Sequence, residues 1–200
     1  MIEAVIFDVD GVLLRSGAFG ELLLRDLGLQ RAAVDQFWHG PFVQCALGLA
    51  DLKHEVEPFL KEWGYPGTVE DCLQTWFQAD SPINAEVFDL VERLRRQGMS
   101  CHLASTQERY RAAYLENSMG LAERFDRRFF SCHLGVKKPQ PEFYRQVAAQ
   151  LGLAPTALLF FDDQQVNVDA ARSAGWHAEL YTFGDDLRSV LVRHGIVLST

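Results

Sequence analysis

The chain of 200 residues is long enough for one α/β domain with a modest insertion. Its hydrophobic content of 48% and charged content of 23% are typical of a folded globular protein, and its net charge of −8 argues against a general nucleic-acid binder. No apolar run reaches the roughly 18 residues of a membrane helix, and the N-terminus does not resemble a signal peptide. The four cysteines form no CxxC pair, so we expect reduced thiols and a cytoplasmic location.

The first predicted element is a strand over residues 2–8 (IEAVIFD), which is apolar on both of its alternating faces. Similar runs follow at 99–105, 157–163 and 177–183, with a weaker one at 127–132. Between and after them, the spacing of apolar residues predicts helices over 85–98, 142–153, 168–175 and 185–195. This alternation predicts an α/β fold with a doubly wound, Rossmann-like parallel sheet.

Residues 15–81 break the alternation of strands and helices. Within them, apolar residues at helical spacing predict four amphipathic helices, over 22–29, 32–38, 50–64 and 69–79. We therefore expect a small α-helical insertion after the first strand, at residues 15–81. The parallel-sheet core is then expected to comprise residues 1–14 and 82–200.

Two pairs of carboxylates follow predicted strands, Asp8 with Asp10 and Asp162 with Asp163. The carboxyl ends of parallel strands form the functional edge of such a sheet, so the pairs should converge. Either pair alone could be a solvated turn or a helix N-cap. Together they favour a hard cation with oxygen ligands, Mg²⁺, which would offset their repulsion, and Asn167 follows on the next helix.

Groups that suit an anionic ligand lie at the same predicted edge. Lys138 precedes Pro139 in a loop, where a fixed backbone would give its charge a defined reach. Ser105 ends the second strand, so its hydroxyl and the neighbouring main-chain N–H of Thr106 would suit a phosphate.

These segments resemble the four motifs of the haloacid dehalogenase (HAD) superfamily of aspartate-nucleophile phosphohydrolases. DVDGV at 8–12 is similar to the first motif, LAS at 103–105 to the second and KKPQPEFY at 137–144 to the third. The fourth motif resembles FFDDQQVNVDAARSAG at 160–175. The order and spacing agree over essentially the whole chain, and the helical insertion lies where the family carries an α-helical cap.

The resemblance implies a role for each matching residue. Asp8 would be the nucleophile and Asp10 the general acid/base, while Ser105, Thr106 and Lys138 would bind the phosphate. Mg²⁺ would be held by Asp8, by Asp163 and by Asp10 through its main-chain carbonyl. Two positions depart from the usual pattern: Asn167 stands where a second aspartate is frequent, and Asp162 where many relatives have glycine, which leaves their supporting roles open.

The implied function is Mg²⁺-dependent hydrolysis of a small phosphorylated metabolite, through an aspartyl-phosphate intermediate. The segment at 36–56 resembles the cap of relatives that hydrolyse sugar phosphates, including glucose-1-phosphatase-like members. This resemblance predicts a small-molecule substrate, with no nucleic-acid or membrane partner. The cap residues that could contact substrate are Arg15, Phe19, Trp38, His39 and Gln44.

Three other functions remain open. A 2-haloacid dehalogenase of this fold would lack the second acid of the first motif, which is present here as Asp10. Phosphomutases typically follow the first motif with an acid, a threonine and a cap histidine, whereas this chain has Arg15, Ser16 and Gly20. A catalytically silent phosphate-binding module is the third alternative.

Overall fold

A computed structural model describes residues 1–198 and contains a five-stranded, fully parallel sheet with strand order β3-β2-β1-β4-β5. The strands are β1 (Ala4–Phe7), β2 (Ser100–Ser105), β3 (Arg127–Phe130), β4 (Leu158–Asp162) and β5 (His177–Leu180). The predicted doubly wound α/β fold is therefore confirmed. All five strands are shorter than their apolar runs by one to three residues.

Burial on both faces explains why the central strands are apolar throughout. In β1, Val5 and Phe7 point into one hydrophobic cluster, and Ala4 and Ile6 point into a second cluster on the opposite face. Neighbouring strands pair in parallel register, so that Val5 lies between Cys101 and Leu159. This arrangement places the carboxyl ends of β1, β2 and β4 side by side.

The insertion consists of helices, as predicted. They are α1 (Ala18–Asp26), α2 (Arg31–Trp38), α3 (Pro41–Ala46), α4 (Leu52–Glu62) and α5 (Val69–Ala79). Their apolar faces share a hydrophobic cluster of their own, which includes Trp63 and Trp76. The short helix α3 was not predicted. The chain leaves and re-enters the sheet region at adjacent points, where the amide of Arg15 donates to the carbonyl of Pro82 (2.9 Å). The domain boundaries themselves remain a prediction, and residues 199–200 lie outside the described part.

The remaining helices cover the sheet. They are α6 (Ala85–Arg96), α7 (Arg109–Ala113), α8 (Leu121–Arg124), α9 (Ser131–Leu134), α10 (Pro141–Leu151), α11 (Gln165–Ser173) and α12 (Leu187–Arg193). A π-helical turn at Tyr114–Ser118 follows α7, and a 3₁₀ turn at Pro155–Ala157 precedes β4. All four cysteines are free and buried. Within residues 1–198, no helix has the length and apolarity required to span a membrane.

Candidate active site

A crevice of about 320 Å³ lies at the carboxyl ends of β1, β2 and β4. Its lining comes from segments that are far apart in the sequence: Asp8, Asp10, Ser16, Ser105, Thr106, Lys137, Lys138, Pro139, Asp163, Gln164, Val166 and Asn167. The sheet topology thus brings together the polar residues that the sequence places after separate strands. Asp162 lies against the same crevice but is fully buried.

Lys138 lies between two carboxylates. Its Nζ is 2.7 Å from Oδ2 of Asp8 and 2.5 Å from Oδ2 of Asp162, and the lysine is only 5% exposed. Burial opposes a charge on this ammonium group, but the two carboxylates outweigh it and raise the pKa of Lys138 above its ordinary value. A fixed positive charge therefore stands beside one oxygen of Asp8.

The other oxygen of Asp8 is also engaged. Its Oδ1 accepts a hydrogen bond from the main-chain N–H of Val9 (2.8 Å). Burial and the neighbouring Asp162 raise the pKa of Asp8, while Lys138 opposes that shift. The carboxylate is thereby held in one orientation at the floor of the crevice.

Asp162 fixes the positions of neighbouring site residues through hydrogen bonds. In addition to Lys138, its carboxylate accepts hydrogen bonds from the main-chain N–H of Gln164 and from the Asn167 amide, each at 2.9 Å. Asn167 is itself anchored, because its main-chain carbonyl accepts from the hydroxyl of Tyr144 (2.9 Å). Both Asp162 oxygens are therefore occupied, and its role is to hold Lys138 and the start of α11.

Asp10 is partly exposed, whereas Asp8 is buried. Its Oδ2 accepts a hydrogen bond from Nε2 of Gln107 (2.6 Å), and its Oδ1 lies 3.7 Å from a guanidinium nitrogen of Arg111. The same Gln107 nitrogen is 3.1 Å from Oγ of Ser105. Two carboxylates, one partly exposed and one buried, thus share a single crevice with a lysine and a serine.

Three carboxylates could face a cation in this crevice. Oxygens of Asp8, Asp162 and Asp163 lie within 4.8 Å of one another. Asp162 is fully buried and does not line the crevice, whereas Asp8 and Asp163 do, so these two are the carboxylates that could face a cation, with the main-chain carbonyl of Asp10 as the further predicted ligand. Burial and the nearby Asp162 raise the pKa of Asp163 to about 6, although Lys138 opposes this. The all-oxygen donor set and its uncompensated negative charge fit a hard divalent cation such as Mg²⁺.

Gly11 is required for the close packing of this edge. Its φ of +79° lies in the left-handed region, and a Cβ built at this position would stand 2.2 Å from Oδ2 of Asp163. Because residue 11 is a glycine, the loop that follows β1 can lie directly against the side chain of Asp163.

The cap residues proposed from sequence lie outside the crevice lining. Phe19 is buried and stacks on Trp76 (ring centroids 5.9 Å apart), and Trp38 packs against the same indole (4.9 Å). Phe19 belongs to the hydrophobic cluster of the cap and Trp38 packs against it, so a substrate contact of either residue stays a prediction. Arg15 lies over the ring of Phe183 (4.2 Å) in an adjoining cavity of about 570 Å³ that shares Ser16 and Asp163 with the crevice. His39 and Gln44 are both exposed and lie outside these linings.

Comparison with known families agrees with the four motifs. The model of the haloacid dehalogenase-like hydrolases matches residues 2–175, which include all of the motif segments and the helical insertion. The chain belongs to this family. It is accordingly an enzyme of the HAD hydrolase class.

Curated relatives of this HAD hydrolase carry phosphatase names. A phosphorylated carbohydrates phosphatase from Thermotoga maritima is 26% identical over 186 residues, covering 87% of this chain and 82% of the relative. An enolase-phosphatase E1 from Yersinia pestis is 47% identical, but over only 49 residues, 24% of this chain and 21% of the relative.

Solved structures of HAD enzymes share the fold. A HAD family enzyme from Bacteroides thetaiotaomicron has a TM-score of 0.82 at 19% identity, with 95% of this chain and 98% of that one aligned. The same enzyme has been solved in complex with magnesium and inorganic phosphate, with a TM-score of 0.78. An L-2-haloacid dehalogenase from Xanthobacter autotrophicus aligns with a TM-score of 0.69 at 17% identity, over 100% of this chain and 85% of that one. At these identities the likeness establishes the fold.

Sequence reasoning missed two residues that contact the HAD motifs. Gln107 and Arg111 both approach Asp10, and both are at least 95% buried. Gln107 comes two residues after Ser105, so its position near the end of β2 was a usable signal. Arg111 gave no such signal, because an arginine in a short helix is ordinarily solvated.

Proposed function

We propose that the protein is a Mg²⁺-dependent phosphatase that hydrolyses a small phosphorylated metabolite through an aspartyl-phosphate. The observation that carries the proposal is the position of Lys138 Nζ, 2.7 Å from Asp8, in a crevice that also contains Asp10 and Ser105. A carboxylate nucleophile and an anionic phosphate repel each other, so a buried cation at this point serves a phosphate better than a neutral substrate.

In the first step, an oxygen of Asp8 attacks phosphorus in line with the leaving oxygen. The new bond joins Asp8 to phosphorus, the bond to the leaving oxygen breaks, and Asp10 gives that oxygen a proton. Lys138, the hydroxyl of Ser105 and the main-chain N–H of Thr106 offset the charge on the phosphoryl oxygens. The contacts of Val9 and Lys138 with Asp8 fix its orientation before the substrate arrives.

In the second step, a water molecule attacks the phosphorus of the aspartyl-phosphate. Asp10, now ionised, takes a proton from that water, and cleavage of the phosphorus–oxygen bond regenerates the Asp8 carboxylate and releases phosphate. Mg²⁺ held by Asp8, Asp163 and the carbonyl of Asp10 would supply further neutralisation of phosphoryl charge.

The substrate class proposed is a phosphorylated metabolite such as a sugar phosphate. The name of the Thermotoga maritima relative, which covers most of both chains, supports this class. The cavity that adjoins the crevice supports it too, because Arg15, Ser16 and Thr182 offer polar groups there to a hydroxylated leaving group. Helices α1–α5, residues 15–81, would act as a cap that limits the size of that group and excludes water.

The test is a hydrolysis screen on a panel of phosphorylated metabolites with sugar phosphates among them, in Mg²⁺ and after chelation of Mg²⁺. We expect phosphate release in Mg²⁺, its loss on chelation and its return on adding Mg²⁺ back. Asp8→Asn should lower the rate by more than ~10³-fold, because an amide oxygen is a poor nucleophile.

Asp169→Asn is the matched control, since Asp169 is exposed on α11 and contacts Gln165 rather than the crevice. It should keep wild-type activity. An Asp8→Asn variant that hydrolyses phosphates at the wild-type rate would refute the mechanism. Halide release from 2-chloropropionate without phosphatase activity would favour the dehalogenase alternative, and transfer of phosphate within a sugar would favour the mutase.

A further inference from the structure

One buried amide contacts Asp10, the general acid of the proposed mechanism. Nε2 of Gln107 is 2.6 Å from Oδ2 of Asp10 and 3.1 Å from Oγ of Ser105. The amide nitrogen has two protons, one for Asp10 and one for Ser105, so Gln107 connects the proposed general acid with the serine proposed to bind phosphate. Gln107 is 4% exposed.

The orientation of the amide follows from its neighbours. In the proposed mechanism Asp10 carries its proton on Oδ1, so Oδ2 is an acceptor and the group that meets it at 2.6 Å is the amide nitrogen. The same nitrogen meets the hydroxyl oxygen of Ser105, which can also accept. Reversing the amide would place oxygen against oxygen at Oδ2.

The backbone of Gln107 is fixed to the neighbouring strand end. Its N–H donates to Oγ of Ser131 (3.0 Å), and its carbonyl accepts from the N–H of Cys132 (3.2 Å). Ser131 also donates to the carbonyl of Ala46 in the cap (2.6 Å). The amide that contacts Asp10 is thus held by the core and, through Ser131, by the cap.

Arg111 defines the opposite side of the Asp10 carboxylate. A guanidinium nitrogen is 3.7 Å from Oδ1, beyond hydrogen-bond distance, while the guanidinium donates to the carbonyls of Phe77 (2.8 Å) and Asp80 (2.5 Å). Oδ2 is therefore bound by Gln107, and Oδ1 is the oxygen left to carry and transfer a proton.

We infer that Gln107 is a positioning residue, which holds Oδ2 of Asp10 so that Oδ1 is aimed at the leaving oxygen of the substrate. The inference rests on the proposed phosphatase function and extends it to a residue outside the four motifs. Without the amide, the Asp10 side chain would rotate and proton transfer to the leaving group would be slowed.

Protonation of the leaving oxygen accelerates hydrolysis only when the leaving group is basic. p-Nitrophenolate departs as a stable anion, phenolate less readily, and the alkoxide of benzyl alcohol hardly at all without protonation. The kcat/KM for a phosphatase of this type reports steps up to departure of the leaving group, and a misplaced acid should lower it in proportion to leaving-group basicity.

The experiment measures kcat/KM in Mg²⁺ for p-nitrophenyl, phenyl and benzyl phosphate, with the wild type and with Gln107→Leu. We expect Gln107→Leu to lower kcat/KM for benzyl phosphate by about 100-fold, the typical effect of a misplaced catalytic group. The loss should be intermediate for phenyl phosphate and smallest for p-nitrophenyl phosphate. Gln107→Met, which keeps the side-chain length but has no donor, should reproduce this graded loss if Gln107→Leu does not fold.

Gln97→Leu is the matched control, because Gln97 lies on the far side of the core after α6, where its amide donates to the carbonyl of Val197. It should leave all three values unchanged. An equal loss on the three esters, or no loss, would overturn the positioning role while the phosphatase function stands. A wild type that hydrolyses neither these esters nor any phosphorylated metabolite would overturn the proposed function and this inference with it.

Discussion

The adjacent aspartates at the end of β4 have different surroundings, and these assign them different tasks. Asp162 is completely buried and accepts hydrogen bonds from Lys138, Gln164 and Asn167. Asp163 lies at the crevice surface beside Gly11. Hence only Asp163 has the access that a metal ligand needs, and Asp162 stabilises the lysine.

Replacing Asp162 should therefore destabilise the protein. In Asp162→Asn an amide nitrogen must face either the Lys138 ammonium or another donor, so a buried donor loses its acceptor. We expect the free energy of unfolding, measured by urea denaturation, to fall by about 2 kcal/mol. Asp169→Asn, an exposed change in α11 directly after this strand end, should alter it by less than about 0.5 kcal/mol. Equal stability of the two variants would contradict the assigned role.

Several site residues could be placed from sequence because they end strands of a parallel sheet. Asp8, Ser105 and Asp163 each follow an apolar run, and the topology brings such positions to one edge. Gln107 does not end a strand: its place two residues after Ser105 indicates that it lies near the site, but its contact with Asp10 depends on the path of the chain after β2. The substrate contacts expected of Phe19 and Trp38 stay a prediction, because the sequence gives no sign of which way an aromatic side chain faces and both rings pack with the cap cluster.

At the level of elements, long apolar patterns were predictable and short helices were not. The strands and the helices α4, α5, α6 and α10 appear where the periodicity places them. In the sequence, the stretch from α7 to α9 indicates only one weak strand. In the structure it also contains three helices of four or five residues and a π-helical turn. Elements this short carry little periodic signal and are stabilised by tertiary contacts, such as those of the buried Arg111.

The loop after α3 brings the cap against the core, and its glycine makes that contact possible. Gly48 has a φ of +72°, and a Cβ there would lie 2.2 Å from the main-chain carbonyl oxygen of Cys132. Its own carbonyl accepts a hydrogen bond from Arg109 (2.5 Å). The approach of backbone to backbone at this point leaves no space for a side chain.

Gly48→Ala is expected to destabilise the protein by about 3 kcal/mol, from left-handed strain of about 1 kcal/mol together with the clash at Cys132. Gly64 offers a matched control, since it follows α4 with a φ of +65°, and a Cβ added there would meet nothing within 4 Å. Gly64→Ala should lower the free energy of unfolding by about 1 kcal/mol, from the left-handed strain alone. Equal losses in urea denaturation would show that the close approach at Gly48 is not maintained in solution.

For the molecule as a whole, the junction between cap and core buries an acid. Glu108 begins α7, is 1% exposed and accepts hydrogen bonds from the main-chain N–H groups of Tyr110 (2.9 Å) and Arg111. Burial raises the pKa of Glu108 from 4.5 to about 7, with Asp51 of the cap adding to the shift and the backbone hydrogen bonds and Arg111 opposing it. The folded protein thus binds a proton here that the unfolded chain has already lost.

Stability should consequently depend on pH through Glu108. Between about pH 4.5 and 7 the folded state holds more protons at this group, so the free energy of unfolding should fall as pH rises, by roughly 3 kcal/mol in all. Glu108→Gln cannot ionise at this position. Its free energy of unfolding, measured by urea denaturation, should therefore rise relative to that of the wild type by about the same amount between pH 5 and 8. Glu123→Gln, an exposed change in α8, should follow the wild-type curve. A difference between Glu108→Gln and wild type that stays constant over this range would show that Glu108 is already ionised in the folded protein at pH 5, and that the cap–core junction is more hydrated than its burial indicates.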